Sequence, residues 1–244
     1  ATFYQVLKEY TTIKSLYEPS AGAGIFITAA KDILDLEHIV AYEKDTLTAK
    51  VLQHIVPYTW NDGISSPSMV ANRAFENSDP GEEGFDLITS NIPFGAFPVY
   101  DEDCTDKNIY GKIHNYFFWK GIQKAKDGGV LAYLVSNAFL DSPSNSSARK
   151  YLFSNSDFIS CVRMPDNLFK EEANTEAGSH FLVVRKKEGK TEADMSQEEK
   201  WLCEATNVTI KGVPVAVNEY VKRNAHKCVI GKKRLGKNQY GKAA

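Results

Sequence analysis

Short runs of Val, Ile and Leu alternate along this sequence with segments whose apolar residues recur at helical spacing. This alternation is typical of βαβ units, in which a helix connects two neighbouring parallel strands. It therefore predicts an α/β fold with a doubly wound, mainly parallel seven-stranded sheet, whose last two strands are candidates for an antiparallel pair. The expected strands lie at residues 15–17, 38–42, 68–75, 85–90, 130–135, 158–164 and 181–185, and the expected helices at residues 25–36, 46–54, 113–126 and 147–154.

The length and the charge distribution indicate one large domain and a smaller basic segment. A chain of 244 residues, 43% apolar and 25% charged, can form one α/β domain with a short appendage. We expect the domain to cover residues 1–188, and a linker and basic tail to cover residues 189–244 as part of a region that continues in a longer protein. Residues 220–244 contain eight Lys or Arg and no Asp or Glu, although the net charge is only −2. This tail either contacts phosphates or is simply solvated.

The sequence lacks the features of membrane and secreted proteins. No stretch has the length and apolarity of a membrane span, and residues 1–25 lack a signal-peptide pattern. The four cysteines are far apart and form no Cys-x-x-Cys pair, which argues against a zinc site or a disulfide framework. A cytoplasmic location is therefore expected, with no membrane partner and no bound metal.

A glycine-containing turn after the first expected strand is the first candidate site. Gly22 and Gly24 permit a tight turn and close approach of the backbone to a ligand at a helix N-terminus. A third glycine at position 27 would complete a dinucleotide fingerprint, but that residue is Ile27. Glu18 would repel a pyrophosphate, and it suits instead the cationic amino-acid end of S-adenosylmethionine. The cofactor-binding candidates in this turn are Glu18, Pro19, Gly22, Gly24 and Phe26.

Two further carboxylates are spaced for the same cofactor. Glu43 ends the second expected strand, 19 residues after Gly24, where it can accept hydrogen bonds from ribose hydroxyls. Glu76 follows the third expected strand and can accept from the adenine amine of the cofactor. The alternative interpretation is that the glycines form a helix-capping turn and that both carboxylates are solvated.

The strongest functional pattern is Asn91-Ile92-Pro93-Phe94, at the end of the fourth expected strand. Open α/β sheets bind ligands at the carboxyl ends of their strands. The exocyclic amine of a nucleobase is a poor nucleophile, because its lone pair is delocalised into the ring. The Asn91 side-chain oxygen and the Ile92 carbonyl can accept both amine hydrogens and localise that lone pair, and Phe94 can stack on a base flipped out of a helix. The alternative is a strand-terminating turn with Phe94 in the core.

These motifs together resemble those of the adenine-specific (N6) DNA methyltransferases. Segments 18–24 and 91–94 carry the resemblance, which extends over about residues 16–188. Within that family the sequence is similar to type I restriction modification subunits and to the methylase portions of mobile-element methylase–helicase proteins. The resemblance implies a sheet of the S-adenosylmethionine-dependent methyltransferase type, methyl transfer to a flipped adenine in double-stranded DNA, and helicase or specificity regions in the same chain or in a partner chain.

The sequence departs from the family pattern at two places. Ile92 replaces the usual proline of the catalytic tetrapeptide, but its backbone carbonyl remains available, so a proline there is expected to be tolerated. The family usually has a Tyr-Thr-Pro-like segment that covers the methionine end of the cofactor, and residues 2–5 match it only in part. The same catalytic tetrapeptide pattern occurs in methyltransferases of ribosomal RNA and of protein glutamine. An inactive DNA-binding module of a larger protein is a third alternative.

The remaining polar and aromatic residues have less specific roles. The aromatic residues at 115–119 are expected to pack inside the protein, and His114 is expected to have a core or surface role. Ser136 and Asn137 end the fifth expected strand close to the site, where they can contact a base. Phe169 belongs to the region of resemblance.

Overall fold

The computed structural model describes residues 1–56, 68–81, 84–95, 97–166, 178–210 and 212–231. Its strands are β1 (Ser15–Glu18), β2 (His38–Tyr42), β3 (Met69–Ala71), β4 (Phe85–Asn91), β5 (Ala125–Ser136), β6 (Ser156–Met164), β7 (Ser179–Lys186), β8 (Ala205–Ile210) and β9 (Val213–Asn218). Its helices are α1 (Thr2–Tyr10), α2 (Ile25–Lys31), α3 (Thr46–Ile55), α4 (Lys107–Tyr110), α5 (Ile113–Lys124), α6 (Ala138–Asp141), α7 (Ser146–Ser154), α8 (Gln197–Cys203), α9 (Glu219–Arg223) and α10 (Ala225–Cys228).

The main sheet has seven strands in the order β3-β2-β1-β4-β5-β7-β6. β1 is parallel to both of its neighbours, and Tyr17 is in register with Val40 of β2 and with Ile88 of β4. β6 and β7 are antiparallel, as predicted. Since the strand order reverses between β1 and β4, the carboxyl ends of these two strands form the switch point at which open α/β sheets bind ligands. The predicted α/β fold with a doubly wound, mainly parallel sheet is confirmed.

The element boundaries differ from the predicted ones at three places. The strand expected at 68–75 is only three residues long, and a 3₁₀ turn, Phe75–Asn77, follows it. The helix expected at 25–36 ends at Lys31, and Leu34 is buried outside the helix. The helix expected at 113–126 ends at Lys124, and β5 begins at once. Gly128, with φ 76°, lies inside this strand.

The first of two compact units comprises Ala1–Asn91 and Gln123–Ala132. Helix α3 begins at a capping residue, because the Asp45 carboxylate accepts a hydrogen bond from the backbone N–H of Thr48 at 2.8 Å. The helices α2 and α3 each bury an apolar face, and the strands bury almost all of their side chains. The buried apolar residues at the centre of this unit are Leu16, Tyr17, Ile27, Ala30, Val40, Ala41, Ala49, Leu52, Leu87 and Ile88.

The second unit comprises Ile92–Ile122 and Tyr133–Ala244. The aromatic side chains of α5 form part of its core, as expected for residues 115–119. The ring of Phe118 stacks on Phe139 with 4.3 Å between centroids and meets Tyr133 edge-on. His114 is buried on the same helix, so the structure assigns it to the core. None of the helices in the described part of the chain is long and apolar enough to cross a membrane.

The segment after β7 differs from the linker expected from its polar composition. Lys190 is buried and donates to Glu199 at 2.8 Å and to the carbonyl oxygen of Ser156 at 2.7 Å. Glu199 also accepts from the backbone N–H of Phe158. Burial of two opposite charges is tolerated when they pair and their remaining hydrogen-bonding groups are satisfied, and this pairing is not visible in composition. The segment therefore packs on β6.

The part of the chain between α8 and residue 230 also packs within the second unit. Arg149 of α7 is fully buried and donates to the carbonyl oxygens of Cys203, Phe139 and Ser142 at 2.7–2.9 Å. Strands β8 and β9 form a hairpin that leads into α9. Val229 forms a parallel bridge to Arg163 of β6, and the N–H of Ile230 donates to the Arg163 carbonyl at 3.0 Å. The expected tail thus includes buried structure, and its last residues, 232–244, lie outside the described ones.

Candidate active site

The turn between β1 and α2 is fixed by backbone hydrogen bonds. The N–H of Ala21 donates to the carbonyl of Tyr42 at 2.9 Å, and the N–H of Gly24 donates to the carbonyl of Ala21 at 2.8 Å. Gly22 and Gly24 have φ of 52° and 79°, a region that favours glycine. The predicted tight turn is therefore present at the carboxyl end of β1.

The two glycines of this turn have different surroundings. A Cβ at Gly24 would lie 2.5 Å from Cδ1 of Leu52, so this position is closed by the protein itself. A Cβ at Gly22 would meet nothing within 4 Å among the described residues. Close approach of a ligand is therefore possible at Gly22, whereas Gly24 is required for packing against α3.

Glu43 contacts the glycine turn directly. Its Oε2 accepts from the N–H of Gly22 at 2.8 Å, and its Oε1 accepts from the N–H of Asp45 at 2.7 Å. The side chain is half-buried, and each carboxylate oxygen has a second lone pair to offer a ligand. The spacing between the glycines and Glu43 thus brings these residues into contact.

Glu18 is a buried carboxylate without a partner at one of its oxygens. The residue is 1% exposed, and its Oε2 has no hydrogen bond in the described structure. Burial, and secondarily the negative charge of Glu43, raise the pKa of Glu18 well above its usual value. An unpartnered carboxylate beside a second one is an environment that attracts a cation.

Helix α1 adds a residue that the sequence pattern did not single out. Tyr4 is buried, and its pKa is raised by burial and, to a smaller extent, by the negative charge of Glu18. The partial match of residues 2–5 to the family's upstream segment was the only signal for it. Of the other cofactor candidates, Pro19 is buried in the turn and Phe26 is half-buried at the start of α2. Glu76 is half-buried in the 3₁₀ turn after β3.

Asn91 ends β4 at the same edge of the sheet as the turn. The parallel register of β1 and β4 brings Glu18 and the end of β4 to one side of the first unit. Ser90, which precedes Asn91, donates through Oγ to the carbonyl of Ser20 at 3.4 Å. Asn91 itself is exposed and so can be reached by a substrate.

Ile92, Pro93 and Phe94 follow in the second unit. The N–H of Ile92 donates to the carbonyl of Leu134 in β5 at 2.9 Å, and the Ile92 side chain is buried. Pro93 and Phe94 are half-exposed, so Phe94 is not a core residue. The backbone at Ile92 is therefore anchored by one hydrogen bond, while Phe94, two residues later, is partly exposed to solvent.

A small cavity of about 190 Å³ lies at the opposite, amino ends of β1 and β4. Asp86 lines it and accepts from the N–H groups of Lys14 and Ser15, and it pairs with Lys126 at 3.0 Å. These contacts join neighbouring strands, so Asp86 has a structural role. In the described residues, no group of three or more His, Cys, Asp or Glu side chains is placed to hold a metal ion.

The sequence model of the Eco57I restriction-modification methylase family matches residues 20–169, which is more than half of the chain. The chain belongs to the Eco57I restriction-modification methylase family. The range matched to this family contains the glycine turn, Glu43 and the segment 91–94. The resemblance to restriction modification methylases seen in the sequence is thereby confirmed. No curated protein matches the sequence.

Solved structures share the fold of this Eco57I-family methylase. A protein described as a type I restriction modification subunit from Vibrio vulnificus has 13% identity and a TM-score of 0.62, covering 99% of this chain and 56% of its own. The M protein of the type I restriction enzyme EcoKI has 16% identity and a TM-score of 0.61, and the match covers 90% of this chain and 50% of the M protein. A protein described as a class I S-adenosylmethionine-dependent methyltransferase from Listeria monocytogenes has 17% identity and a TM-score of 0.59, covering 77% and 57%.

The likeness to these structures establishes the fold of the Eco57I-family chain. It is the S-adenosylmethionine-dependent methyltransferase fold, as the sequence resemblance implied. The chain spans between 50% and 57% of the length of these three proteins.

Proposed function

We propose that this chain is the catalytic part of a site-specific DNA methyltransferase that transfers a methyl group from S-adenosylmethionine to N6 of an adenine flipped out of double-stranded DNA. The observation that carries this proposal is the position of the exposed Asn91 beside a turn whose buried carboxylate, Glu18, has an oxygen without a partner among the described residues. Membership in a restriction-modification methylase family supports DNA as the substrate. We propose that residues 1–188 carry the catalytic residues, while residues 189–230 belong to the second compact unit together with part of them.

The residues around the glycine turn fit S-adenosylmethionine. The unpartnered carboxylate of Glu18 suits the positive charge of the cofactor's methionine end. The open space at Gly22 allows the backbone to approach the ligand, and Glu43 retains lone pairs for ribose hydroxyls. Pro19, Phe26 and Glu76 would complete the contacts. When bound, the cofactor supplies a methyl group on a sulfonium centre, whose leaving group is a neutral thioether.

The segment 91–94 would prepare the target amine for attack. Asn91 Oδ1 and the Ile92 carbonyl accept the two amine hydrogens, which localises the nitrogen lone pair as the nitrogen becomes pyramidal. Phe94 stacks on the flipped base, an interaction worth roughly 1–3 kcal/mol for a base on an aromatic side chain. No general base is needed before the attack, since the proton can leave the product afterwards.

Sequence recognition would come from outside the catalytic domain. We propose that specificity or helicase regions of the same chain or of a partner chain select the DNA site. This is supported by the type I modification subunits and proteins among the structural neighbours, which are about twice as long as this chain. The basic residues beyond α9 would add contacts to phosphates without sequence preference.

Transfer of labelled methyl groups tests the proposal. The full-length protein is incubated with labelled S-adenosylmethionine and with DNA, RNA or protein, and the modified atom is identified. Label on adenine N6 of DNA is expected. Label on ribosomal RNA or on a glutamine side chain would show that the substrate is RNA or protein and not DNA. Cofactor binding without any transfer would indicate an inactive DNA-binding module.

A further inference from the structure

Asn137 has an amide that the fold does not use. It follows β5 and precedes α6, the position at which an asparagine usually caps a helix, but its side chain makes no capping hydrogen bond. It is half-exposed and hydrogen bonds to none of the groups in the described residues through its amide. Its backbone is held, because the N–H of Asn137 donates to the carbonyl of Gly178 at 2.8 Å.

Gly178 leaves room for this amide. A Cβ at Gly178 would lie 2.6 Å from Nδ2 of Asn137 and 3.1 Å from Oδ1 of Asp166. Gly178 is not among the glycines with positive φ, so its backbone does not require glycine. The absence of a side chain at 178 therefore serves the position of the Asn137 amide and not a strained turn.

The residues after Gly178 also have unused hydrogen-bonding capacity. Ser179 Oγ and both ring nitrogens of His180 are fully buried and have no partner in the part of the chain that the structure describes. Unmade hydrogen bonds of this kind are rare in folded proteins, and they call for a further partner. They lie beside the carboxyl end of β5, next to Gly178, but their full burial keeps them from direct contact with a ligand.

The same end of β5 holds the start of the catalytic segment. Ile92 pairs with Leu134, three residues before Asn137, within the second unit. Phe94 is accessible two residues further along. Asn137 and the proposed base-binding residues Ile92–Phe94 thus belong to one edge of one unit.

We propose that Asn137 reads the edge of the target base, its Nδ2–H donating to the ring nitrogen next to the exocyclic amine. In adenine N1 and N7 lie on either side of the amine and both are acceptors. Cytosine also carries an acceptor, N3, beside its amine, so this contact orients the base and does not by itself distinguish adenine from cytosine. The assignment rests on the proposed function and adds to it a group that orients the base.

Base analogues with a missing ring nitrogen test this contact. Once the methylated motif has been mapped in genomic DNA, the full-length protein is assayed on duplex oligonucleotides carrying adenine, 1-deazaadenine or 7-deazaadenine at the target. We expect wild-type kcat/KM to fall by roughly ten- to a hundredfold on one analogue, the range for removing one good hydrogen bond to a base. Asn137→Ala should lose a similar factor on adenine and little more on that analogue.

Two further variants keep the test independent of folding defects. Gly178→Ala should push the Asn137 amide aside and reproduce the analogue profile of Asn137→Ala, while S-adenosylmethionine affinity and the melting temperature stay near wild type. Asn207→Ala, an exposed residue in β8, is the matched control and should behave as wild type. The assignment is overturned if Asn137→Ala methylates adenine at the wild-type rate. It is also overturned if the fall in kcat/KM caused by Asn137→Ala multiplies in full with the fall caused by each of the two analogues. If the wild-type protein leaves unmodified adenine unmethylated, the proposed function fails first, and this assignment fails with it.

Discussion

The backbone N–H of Gly22 donates to the carboxylate of Glu43 across 2.8 Å, so the end of β2 holds the turn that follows β1. The contact explains how two motifs separated by 21 residues act as one structure. Glu43 thus has a structural task beside any contact that it makes to ribose. Loss of cofactor binding on its removal would therefore not by itself identify it as a ligand contact.

The two glycines of the turn should respond differently to substitution. The Cβ of Gly24→Ala would clash with Leu52, and the positive φ at this position is unfavourable for alanine. The substitution should therefore lower the free energy of unfolding by about 1–3 kcal/mol. Gly22→Ala meets open space, and should cost only about 1 kcal/mol of stability while weakening S-adenosylmethionine binding at least about tenfold. Urea titration and calorimetry measure the two effects. Gly212→Ala is the control, since it has φ 80° and open space but lies in the β8–β9 turn. If Gly22→Ala binds S-adenosylmethionine with the same affinity as the wild-type protein and the Gly212→Ala control, the ligand does not approach Gly22.

Glu18 should make the cofactor-free protein less stable as the pH rises. Its pKa in the folded state is raised above the usual value near 4.5, so the folded protein holds the proton more tightly than the unfolded chain does. The free energy of unfolding should therefore fall as the pH rises from about 4.5 and level off above the raised pKa. Glu18→Gln removes this decline and should be more stable than wild type at about pH 8, and near it at about pH 4, in urea titrations.

The same variant should bind the cofactor less well. S-adenosylmethionine brings positive charge to Glu18, lowers its pKa and so releases a proton in wild type below the raised pKa. Calorimetry in buffers of different ionisation enthalpy measures this release, which Glu18→Gln should lack. Glu37→Gln, at an exposed pair with Lys14, is the control. Identical pH profiles of wild type and Glu18→Gln would contradict the buried, partnerless state of this carboxyl group.

Asn91→Ala should act on turnover and not on cofactor binding. The side-chain oxygen is proposed to hold the amine most strongly in the transition state, so kcat should fall by a factor of about a hundred or more. Single-turnover methylation measures the rate, and calorimetry should show unchanged affinity for S-adenosylmethionine. Phe94→Ala should instead weaken capture of the flipped base, and Phe94→Trp should retain part of the activity. If Asn91→Ala methylates adenine at the wild-type rate, Asn91 has no catalytic role and the segment 91–94 is only a turn.

Ile92→Pro should cost stability despite restoring the residue that the family usually has. Proline lacks the N–H that Ile92 donates to Leu134, and the sequence alone had suggested that the exchange is tolerated. We expect the free energy of unfolding to fall by about 1 kcal/mol or more. Ile92→Val, which keeps the N–H, is the matched control. If the proline variant is as stable as the valine variant, the hydrogen bond to β5 contributes nothing.

Removal of residues 232–244 should weaken DNA binding. These residues carry five of the eight basic residues after position 219, and the slope of log K against log salt concentration should become shallower by about 0.9 for each phosphate that is no longer neutralised. Deletion from residue 220 should instead destabilise the protein, because Tyr220, Val221 and Cys228 are buried. Unchanged affinity at low salt after removal of 232–244 would mean that this segment is only solvated.

The fold was predictable because its signals are local. Apolar runs and the Gly22–Gly24 turn identify strands and a helix start without any knowledge of distant contacts, and parallel topology then places Glu18, Glu43 and Asn91 at one edge. The C-terminal part was not predictable in the same way. Lys190 and Glu199 are typical of a solvated segment, and only their mutual pairing allows both to be buried.

The site was predictable in its residue types but not in all of its contacts. Nothing in the sequence indicates that Gly24 faces Leu52, or that Gly178 faces Asn137, because each pair meets only through the tertiary fold. Tyr4 was visible only as part of an incomplete upstream match. The roles of the residues in the site remain proposals, whereas their placement follows from the topology.

The bridge from Val229 and Ile230 to Arg163 covers part of β6, the outermost strand of the main sheet. An uncovered outer strand exposes a row of unpaired N–H and C=O groups that other chains can extend. Residues 229 and 230 thus protect part of β6 from pairing with a strand of another chain. Damage near residue 230 is therefore expected to lower solubility before it affects the chemistry at the ends of β1 and β4, which lie in the middle of the sheet order.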